Sequence, residues 1–186
     1  MELEGGVGTA LVQLGKYFGL EVYGTASGPK HELVSSLGGI PLDYRREDFV
    51  DSIRGLDTPG VDVVFDHLGG NHFKRSFSVL RDGGRLIAYG FYDSVLGDGG
   101  SVPLDFLRLM FWNLLPNGRS AQFYSIGPWR EKHPDWFSED LERLFQLCLQ
   151  GVIQPVIRKE ITLDEISRAH RWIEGAEAQG KIVCTF

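Results

Sequence analysis

The stretch Glu4-Gly5-Gly6-Val7-Gly8, followed at once by an apolar-periodic segment at residues 9–20, decides the fold of this chain. Glycines at these positions let the backbone turn sharply and approach a pyrophosphate closely. The helix behind them presents free N–H groups and the positive end of its dipole. The stretch therefore predicts a phosphate-binding turn. A second interpretation, in which the glycines only separate two elements, stays open from these residues alone.

The glycine cluster lacks part of the G-x-G-x-x-G fingerprint of dinucleotide-binding folds. When Gly5 and Gly8 take its second and third glycine positions, Leu3 takes the first, and the preceding strand would need residues before Met1. That strand is the central one of a doubly wound sheet. We therefore expect an N-terminally truncated sheet, whose first strand is missing or is replaced by residues 1–4, by a shortened edge or by a partner chain.

Length and composition are those of an ordinary globular protein. The chain has 186 residues, of which 42% are hydrophobic and 24% are charged, enough for one substantial core and a small appended lobe. A formal net charge of -6, a pI near 5.4 and the absence of a Lys/Arg-rich block argue against nucleic acid or a membrane surface as partners. No segment approaches the roughly 20 apolar residues of a membrane span, and no signal peptide is evident, so we expect a cytoplasmic location.

Metal ligands do not cluster in the sequence. Cys148 and Cys184 lie far apart in apolar surroundings, which favours two buried small hydrophobic side chains over a disulfide or a thiolate zinc site. The histidines show no metal-ligand spacing with carboxylates or cysteines. We predict that this chain holds no metal.

Strands alternate with helices of about ten residues through most of the chain, which is the pattern of parallel βαβ units. The clearest strand is the β-branched segment Val61–Asp66. Strands are predicted at residues 21–26, 40–44, 61–66, 85–89, 120–126 and 181–186, with helices at 9–20, 29–37, 47–56, 73–80, 136–150 and 163–174. Residues 81–84 are predicted as a tight turn, 127–135 as a polar loop and 152–161 as an extended segment broken by Pro155.

The alternation lapses between Phe91 and Asn117. This segment contains a flexible glycine stretch at 97–100 and a very apolar stretch at 104–115. Two interpretations of residues 104–115 stay open, a helix in the core and a lid or dimer surface.

Several short motifs occur in one order along the chain. They are Gly5-Gly6-Val7-Gly8-Thr9-Ala10 before a helix ending at Gly19, Asp66-x-x-Gly-Gly after a strand, Asp82-Gly83-Gly84-Arg85-Leu86 leading to Tyr89-Gly90-Phe91, and then Leu163-Asp164-Glu165-Ile166, Ala169-His170 and Gly180-Lys181-Ile182-Val183. Together these motifs resemble the cofactor-binding half of the medium-chain dehydrogenase/reductase superfamily. The resemblance is closest to its zinc-free quinone oxidoreductase, or zeta-crystallin-like, branch and covers nearly the whole chain.

The resemblance implies an α/β fold with a Rossmann-type doubly wound parallel sheet that binds a nicotinamide dinucleotide at Gly5, Gly6, Val7 and Gly8. It implies an NADP-binding domain at residues 1–150 and a strand-helix-strand segment at 151–186, a C-terminal tail that in the family returns to the catalytic domain. That domain supplies much of the substrate pocket in the family, and we expect it to be absent here. Leu3, where the family has glycine or alanine, is a further departure.

The strand predicted at residues 21–26 is the second strand when the missing first strand is counted. Its end indicates which nicotinamide cofactor is preferred. An NAD site places a carboxylate there for the ribose hydroxyls, but this chain has Ala26 followed by Ser27. Without that acid a 2′-phosphate can enter, and Ser27 and Lys30 on the first turn of a helix offer a hydroxyl and a cation. Tyr44, at the end of the third strand (residues 40–44), offers a phenolic donor. In the family that the chain resembles, this set selects NADP, so we predict NADP as the cofactor.

Each of these residues also has a simpler interpretation. Ser27 could be only a helix N-cap, Lys30 a solvated surface lysine and Tyr44 an aromatic at the edge of the core. Lys181 matches the late motif of the family, or it flanks the final strand as a charged residue. Their joint placement, together with the missing acid, favours NADP.

The nicotinamide end of the cofactor is predicted at the carboxyl ends of the next two strands. Leu68 and Gly69 would pass near the nicotinamide ribose, as would Tyr89, Gly90 and Phe91, because small and apolar residues exclude water without adding charge. Core packing is the alternative for Tyr89 and Phe91. His67 is isolated among apolar neighbours, which favours a structural role.

The leading hypothesis is a zinc-independent, NADPH-dependent oxidoreductase that transfers hydride to a quinone or to the β-carbon of an α,β-unsaturated carbonyl compound. No acid or base is nominated. The alternatives are a catalytically inactive nucleotide-binding or assembly module, a methyltransferase, against which Ala26-Ser27 argues, and a chain whose glycine turn is distorted and binds nothing. We expect a homodimer, with the apolar stretch 104–115 and the strand at 120–126 as its interface.

Overall fold

The computed structural model describes residues 5–96, 100–174 and 180–186. The chain forms two compact units. The first, here called the central unit, is Arg46–Phe137, and the second, the flanking unit, combines residues up to Arg45 with Ser138–Phe186. Each unit contains its own parallel strands and helices.

The elements follow one another in the alternating order that the sequence predicts. They are α1 (Gly6–Tyr17), β1 (Tyr23–Ala26), a 3-10 turn (Gly28–Lys30) leading into α2 (His31–Ser36), β2 (Ile40–Asp43), α3 (Phe49–Arg54), β3 (Val61–Asp66), α4 (Gly70–Ser78), β4 (Leu80–Ala88), α5 (Tyr92–Leu96), α6 (Val102–Trp112), β5 (Ser120–Phe123), α7 (Ile126–Lys132), α8 (Pro134–Leu149), β6 (Ile157–Ile161), a 3-10 turn (Leu163–Glu165) leading into α9 (Ile166–Glu174), and β7 (Lys181–Cys184). The fold is therefore α/β of the Rossmann type.

All described strand pairs are parallel, but they form three sheets. The central unit has the order β3-β4-β5, whereas the flanking unit has the two pairs β1-β2 and β6-β7. In a doubly wound sheet of order 3-2-1-4-5-6, the first strand lies between the second and the fourth and pairs with both. Among the described residues no strand precedes α1, and β1 and β3 belong to different sheets. Residues 1–4, considered above as a replacement strand, lie outside the described residues.

The core of the central unit forms between α4 and one face of β4. Leu86 and Ala88 on β4 are fully buried, whereas Arg85, the residue before Leu86, faces solvent, as the two-residue period of a strand requires. Phe73 of α4 is also fully buried in this cluster, and Phe77 stacks on Trp112 with ring centroids 4.4 Å apart. These contacts fix the ends of β3 and β4.

The core of the flanking unit is built on α1. Val12 of α1 and Val34 of α2 are fully buried, and Gly39 permits their close packing, because a Cβ there would lie 3.0 Å from Val34 and 3.1 Å from Val12. The buried amide of Gln13 accepts a hydrogen bond from the backbone N–H of Gln154 at 2.8 Å and donates to its carbonyl at 3.2 Å. This pair attaches α1 to the segment before β6.

The tight turn predicted at residues 81–84 does not form. Strand β4 runs through these residues, and the register shifts from the pair Val61–Leu80 to the pair Val63–Arg85. The extra residues form an irregularity within the ladder, with Gly83 at φ +77°, a conformation that glycine adopts without strain.

The polar loop predicted at residues 127–135 is also wrong, because α7 covers Ile126–Lys132. Pro128 lies in its first turn, where the missing N–H of proline costs no helical hydrogen bond. Stacking of Trp129, His133 and Trp136 across α7 and α8 supports this helix, and the centroids of His133 and Trp136 are 4.0 Å apart. Sequence composition alone did not reveal these ring contacts.

Two further predictions need refinement. Cys148 and Cys184 are free thiols but half-buried rather than buried, since each lies on an element with one solvent-facing side. Helix α6 buries Leu109 in the core, whereas Leu104, Leu107, Met110 and Phe111 on the same helix are exposed, as is Leu114 just beyond its end. The core interpretation therefore holds for the face that carries Leu109, and a lid or dimer surface on the exposed face stays a prediction. Residues 97–99 of the predicted flexible glycine stretch lie outside the described residues.

Candidate cofactor site

The glycine cluster opens helix α1, as its spacing predicts. Gly5 is the N-cap residue in an extended conformation, and the Thr9 hydroxyl donates to its carbonyl at 3.1 Å. Among the described residues, no atom lies within 4 Å of the position that a Cβ on Gly5 would take. Val7 is 52% exposed and Gly8 is buried. The first turn thus lies at the positive end of a helix of 12 residues, where the first N–H groups have no partner within the helix.

Lys181, at the start of β7, lies directly against this turn. A Cβ on Gly6 would be 2.3 Å from Cε and 2.6 Å from Nζ of Lys181. The absence of a side chain at Gly6 is therefore what brings a cation next to the helix N-terminus. The sequence indicates Lys181 only as part of a motif. Because Gly6 and Lys181 are about 175 residues apart, no local pattern predicts that they are in contact.

Ser27 and Lys30 lie just beyond the end of β1, and both are only 6% exposed. The interpretation of Lys30 as a solvated surface lysine is therefore wrong. Ser27 holds the N-cap position of the 3-10 turn Gly28–Lys30, but its side chain makes no capping hydrogen bond. A buried lysine beside a buried serine is a donor set that suits a phosphate group.

Asp43 is a residue of this region that the sequence reasoning missed. It pairs with Ala26 in the parallel ladder, is 7% exposed, and its Oδ2 would lie 3.2 Å from a Cβ on Gly28. Its Oδ1 accepts the backbone N–H of Arg45 at 3.0 Å, which shapes the turn around Tyr44. An acid near the end of the strand predicted at residues 40–44 was the available signal.

Tyr44 follows β2 on the surface of the flanking unit. Its side chain is 48% exposed, and the guanidinium carbon of Arg45 lies 5.7 Å from the centre of its ring. It is therefore more exposed than an aromatic at the edge of the core. Its phenol and the neighbouring cation are both accessible to an anionic ligand.

In the central unit, Asp66 fixes the turn that follows β3. Its Oδ1 accepts the N–H of Leu68 at 2.8 Å, and its Oδ2 accepts hydrogen bonds from His72 Nδ1 at 2.7 Å and from Ser76 Oγ at 2.6 Å. Burial alone would raise the pKa of Asp66, but the hydrogen bond and the attraction from His72, with the bonds from Ser76 and Leu68, hold it below its ordinary value. The carboxylate is thus ionised and holds the turn through its hydrogen bonds, and it is not suited to donate a proton.

The glycines after this turn adopt conformations that other residues rarely take. Gly69 has φ +83° and Gly70 has φ +56°. At the end of β4, a Cβ on Gly90 would lie 2.9 Å from the carbonyl oxygen of His67, so the two strand ends touch through backbone. The Tyr89 hydroxyl lies 3.3 Å from Nδ1 of His67. The structure thus brings the predicted nicotinamide residues of β3 and β4 together.

Phe91 belongs to an aromatic cluster of the central unit. Its ring centroid lies 4.8 Å from that of Phe123, 4.9 Å from that of Phe106 and 5.8 Å from that of Phe73. These are the contacts that the core-packing alternative required. A contact of Phe91 with cofactor stays a prediction.

Comparison with known proteins gives the family of this chain. Residues 39–184 match the family described as zinc-binding dehydrogenase, which covers more than half of the sequence. The chain belongs to this family. The family assignment confirms the medium-chain dehydrogenase/reductase resemblance and its restriction to the cofactor-binding half.

Three relatives illustrate what this chain is similar to. The synaptic vesicle membrane protein VAT-1 homolog of Danio rerio is 30% identical over 97% of the chain and 39% of the relative. The structure of CurK enoyl reductase is 28% identical with a TM-score of 0.79, covering 98% of this chain and 52% of that chain. A mycobacterial protein, Rv1454c, solved in complex with NADPH, is 25% identical with a TM-score of 0.79, covering 98% and 54%. The chain thus spans about half the length of its relatives or less.

The family description mentions zinc, and the described residues do not fit a zinc site. Residues 5–96, 100–174 and 180–186 contain no group of three or more His, Cys, Asp or Glu side chains that could hold a metal ion. No chemical step is therefore assigned to zinc. In the same part of the chain, no helix is long and apolar enough to cross a membrane.

Proposed function

We propose that this chain is the cofactor-binding part of an NADPH-dependent oxidoreductase. The observation that carries the proposal is the buried pair Ser27 and Lys30 at the end of β1, where Ala26 replaces the acid that NAD sites use. A buried ammonium that meets a 2′-phosphate gains a charge-assisted hydrogen bond, which NADH cannot supply. Tyr44 would add a phenolic donor at the same ribose.

The pyrophosphate is assigned to the first turn of α1. Gly5, Gly6, Val7 and Gly8 offer N–H groups, and Lys181 adds a positive charge beside Gly6. The Gly6–Lys181 contact supports this assignment, because a side chain at Gly6 would fill the space that the lysine occupies. The complex of Rv1454c with NADPH supports the same cofactor class.

The nicotinamide half is assigned to Leu68, Gly69, Tyr89, Gly90 and Phe91. When bound, the cofactor supplies a hydride from its nicotinamide ring. These residues would orient the ring and exclude water, since they present backbone and apolar or aromatic surface at the carboxyl ends of β3 and β4. The acceptor is proposed to be a quinone or an α,β-unsaturated carbonyl compound. Similarity to CurK enoyl reductase supports the second class.

We propose the division into an NADP-binding domain at residues 1–150 and a segment at 151–186 that completes a catalytic domain. A homodimer in the cytoplasm remains part of the proposal. The exposed apolar face of α6 and the position of β5 at one end of its sheet support a dimer, because both are surfaces that association buries.

A catalytically inactive binding module is the second candidate. It would hold the cofactor at the same residues, and no acid or base of this chain is assigned to a chemical step. Binding of NADPH without reduction of any quinone or enone would support this candidate.

Thermal unfolding of the 186-residue chain with NADPH and with NADH, measured separately, tests the proposal. At free ligand about one hundred times above Kd, stability should rise by about 2.7 kcal/mol. NADPH should raise Tm clearly and NADH only slightly. The variant Lys30→Met should remove the NADPH preference, while Lys132→Met, which removes an exposed lysine of the same charge, should keep it. The absence of a shift with either cofactor would refute the proposal.

A further inference from the structure

An ion pair on α6, in which Asp105 is buried and Arg108 is half-buried, holds the backbone that follows β3. Asp105 is 1% exposed, and its Oδ2 accepts the N–H of Gly70 at 2.8 Å and the hydroxyl of Ser94 at 2.5 Å. Arg108 donates to Oδ1 of Asp105 and also to the carbonyl oxygen of Gly70, the latter at 2.7 Å. Both polar backbone groups of Gly70 are therefore bound by one Asp–Arg pair.

The neighbouring glycine is shaped by the same contacts. A Cβ on Gly69 would lie 2.9 Å from Oγ of Ser94, 3.1 Å from Oδ2 of Asp105 and 3.3 Å from Cα of Phe91, and its φ of +83° already disfavours other residues. The loop is therefore held on one side by side chains of α5 and α6. It has no room to move toward them.

A buried ion pair is a costly way to stabilise a fold, because desolvation of the two charges offsets much of their attraction. An apolar pair of similar volume would pack against the core at lower cost. Here the charges bind the N–H and the C=O of a single residue, which fixes that backbone in one orientation. The arrangement thus suits a role in positioning better than a role in stability alone.

We propose that Asp105 and Arg108 are positioning residues for the nicotinamide half of the cofactor. They would act through Gly70 by fixing Leu68 and Gly69, which the proposed function assigns to the nicotinamide ribose, so this inference rests on that function. Hydride transfer requires the ring to be held close to its acceptor in a narrow range of orientations. Residues that fix this loop therefore affect the nicotinamide end and leave the 2′-phosphate end unchanged.

The variant Asp105→Asn tests this inference when two ligands are compared. NADPH contains the nicotinamide, whereas 2′,5′-ADP contains the adenosine and the 2′-phosphate but lacks it. The asparagine keeps one acceptor oxygen and turns the other into an amide donor, so either Gly70 and Ser94 or Arg108 loses its acceptor, and the loop is held less firmly. We expect Kd for NADPH to rise about tenfold, which corresponds to about 1.4 kcal/mol, with Kd for 2′,5′-ADP unchanged. The fluorescence of bound NADPH, which reports the surroundings of the nicotinamide, should change in parallel.

Two further variants complete the test, the first as a control and the second as a milder change at the same site. Asp62→Asn removes one partner of an exposed Asp–Arg pair with Arg81 in the same unit, and it should change neither affinity. Ser94→Ala removes one hydrogen bond from Asp105 and keeps the ion pair, so it should fold and raise Kd for NADPH by a smaller factor.

The outcomes separate this inference from the function on which it rests. The first case is a wild-type chain that binds NADPH. If Asp105→Asn and Ser94→Ala then lose affinity equally for both ligands, or lose none for either, the positioning role is overturned. A wild-type chain that binds neither ligand overturns the proposed function and the positioning role together.

Discussion

The aliphatic end of Lys181 lies so close to Gly6 that a Cβ on this glycine would be 2.3 Å from Cε of the lysine. The contact joins the first turn of α1 to the start of β7. Because the obstructing atoms are the end of a flexible side chain, an alanine at this position would move the lysine rather than unfold the chain.

We therefore expect Gly6→Ala to leave Tm nearly unchanged and to raise Kd for NADPH about tenfold, since the displaced ammonium no longer reaches the pyrophosphate. Fluorescence titration with NADPH measures this. Gly127→Ala is the control, because Gly127 lies in α7, outside the proposed cofactor site, and no described atom lies within 4 Å of the new Cβ. If Lys181→Ala weakens binding equally in the wild type and in Gly6→Ala, the two residues are not coupled and the interpretation is wrong.

The buried carboxylate of Asp66 should make stability depend on pH in the acid range. Its pKa is lowered in the folded state, so the ionised form stabilises the fold above the ordinary pKa of an aspartate, about 4, and this contribution is lost as the pH falls through the lowered pKa. Asp66→Asn should cost about 2 kcal/mol at neutral pH, and the difference from the wild type should shrink in acid.

Urea unfolding at a series of pH values measures this difference. Asp48→Asn is the control, since the pKa of Asp48 is also lowered, by the N–H of Val50 and by Arg75, but its carboxylate is exposed. The control should lose much less stability at neutral pH. A constant difference between wild type and Asp66→Asn across the whole pH range would contradict the assignment.

Two leucines on α6 should respond very differently to truncation. Leu109 is 3% exposed and packs in the core of the central unit, whereas Leu107 on the same helix is 62% exposed. Leu109→Ala should lower the free energy of unfolding by about 2–5 kcal/mol through lost burial and a residual cavity. Leu107→Ala should change it by less than about 0.5 kcal/mol. Equal losses in denaturant unfolding would show that the solvent-facing side of α6 is covered.

The same exposed face leads to a prediction about association. If the proposed dimer uses α6, Leu107→Glu should place a charge in an apolar interface and shift the chain to monomers without lowering Tm of the monomer. Sedimentation velocity at several protein concentrations measures the shift. Glu139→Leu replaces an exposed charged side chain on α8 by an apolar one. It should leave the association state unchanged. A wild-type chain that is monomeric at all concentrations would refute the dimer.

The alternation of strands and helices was predictable because local patterns are sufficient to specify it. Val61–Asp66 is β-branched and apolar, and the glycines at the ends of α1 and α2 take positive φ, as at Gly19 and Gly38. The prediction of a turn near Gly83, in the irregular part of β4, was wrong, because a glycine pair is equally typical of a turn and of a bulge.

Sequence by itself determined the α/β class, the family and the residue types at the ends of β1 and β3, since each depends on local composition or on short motifs. Tertiary structure decided which of these residues meet. Two contacts join segments that are distant along the chain, namely that of Lys181 with Gly6 and the hydrogen bond from Gly70 to Asp105. Lys30 is buried, although a lysine is typical of the surface. Local patterns carry no information about such pairs, because their energies depend on distance, burial and the orientation of whole elements.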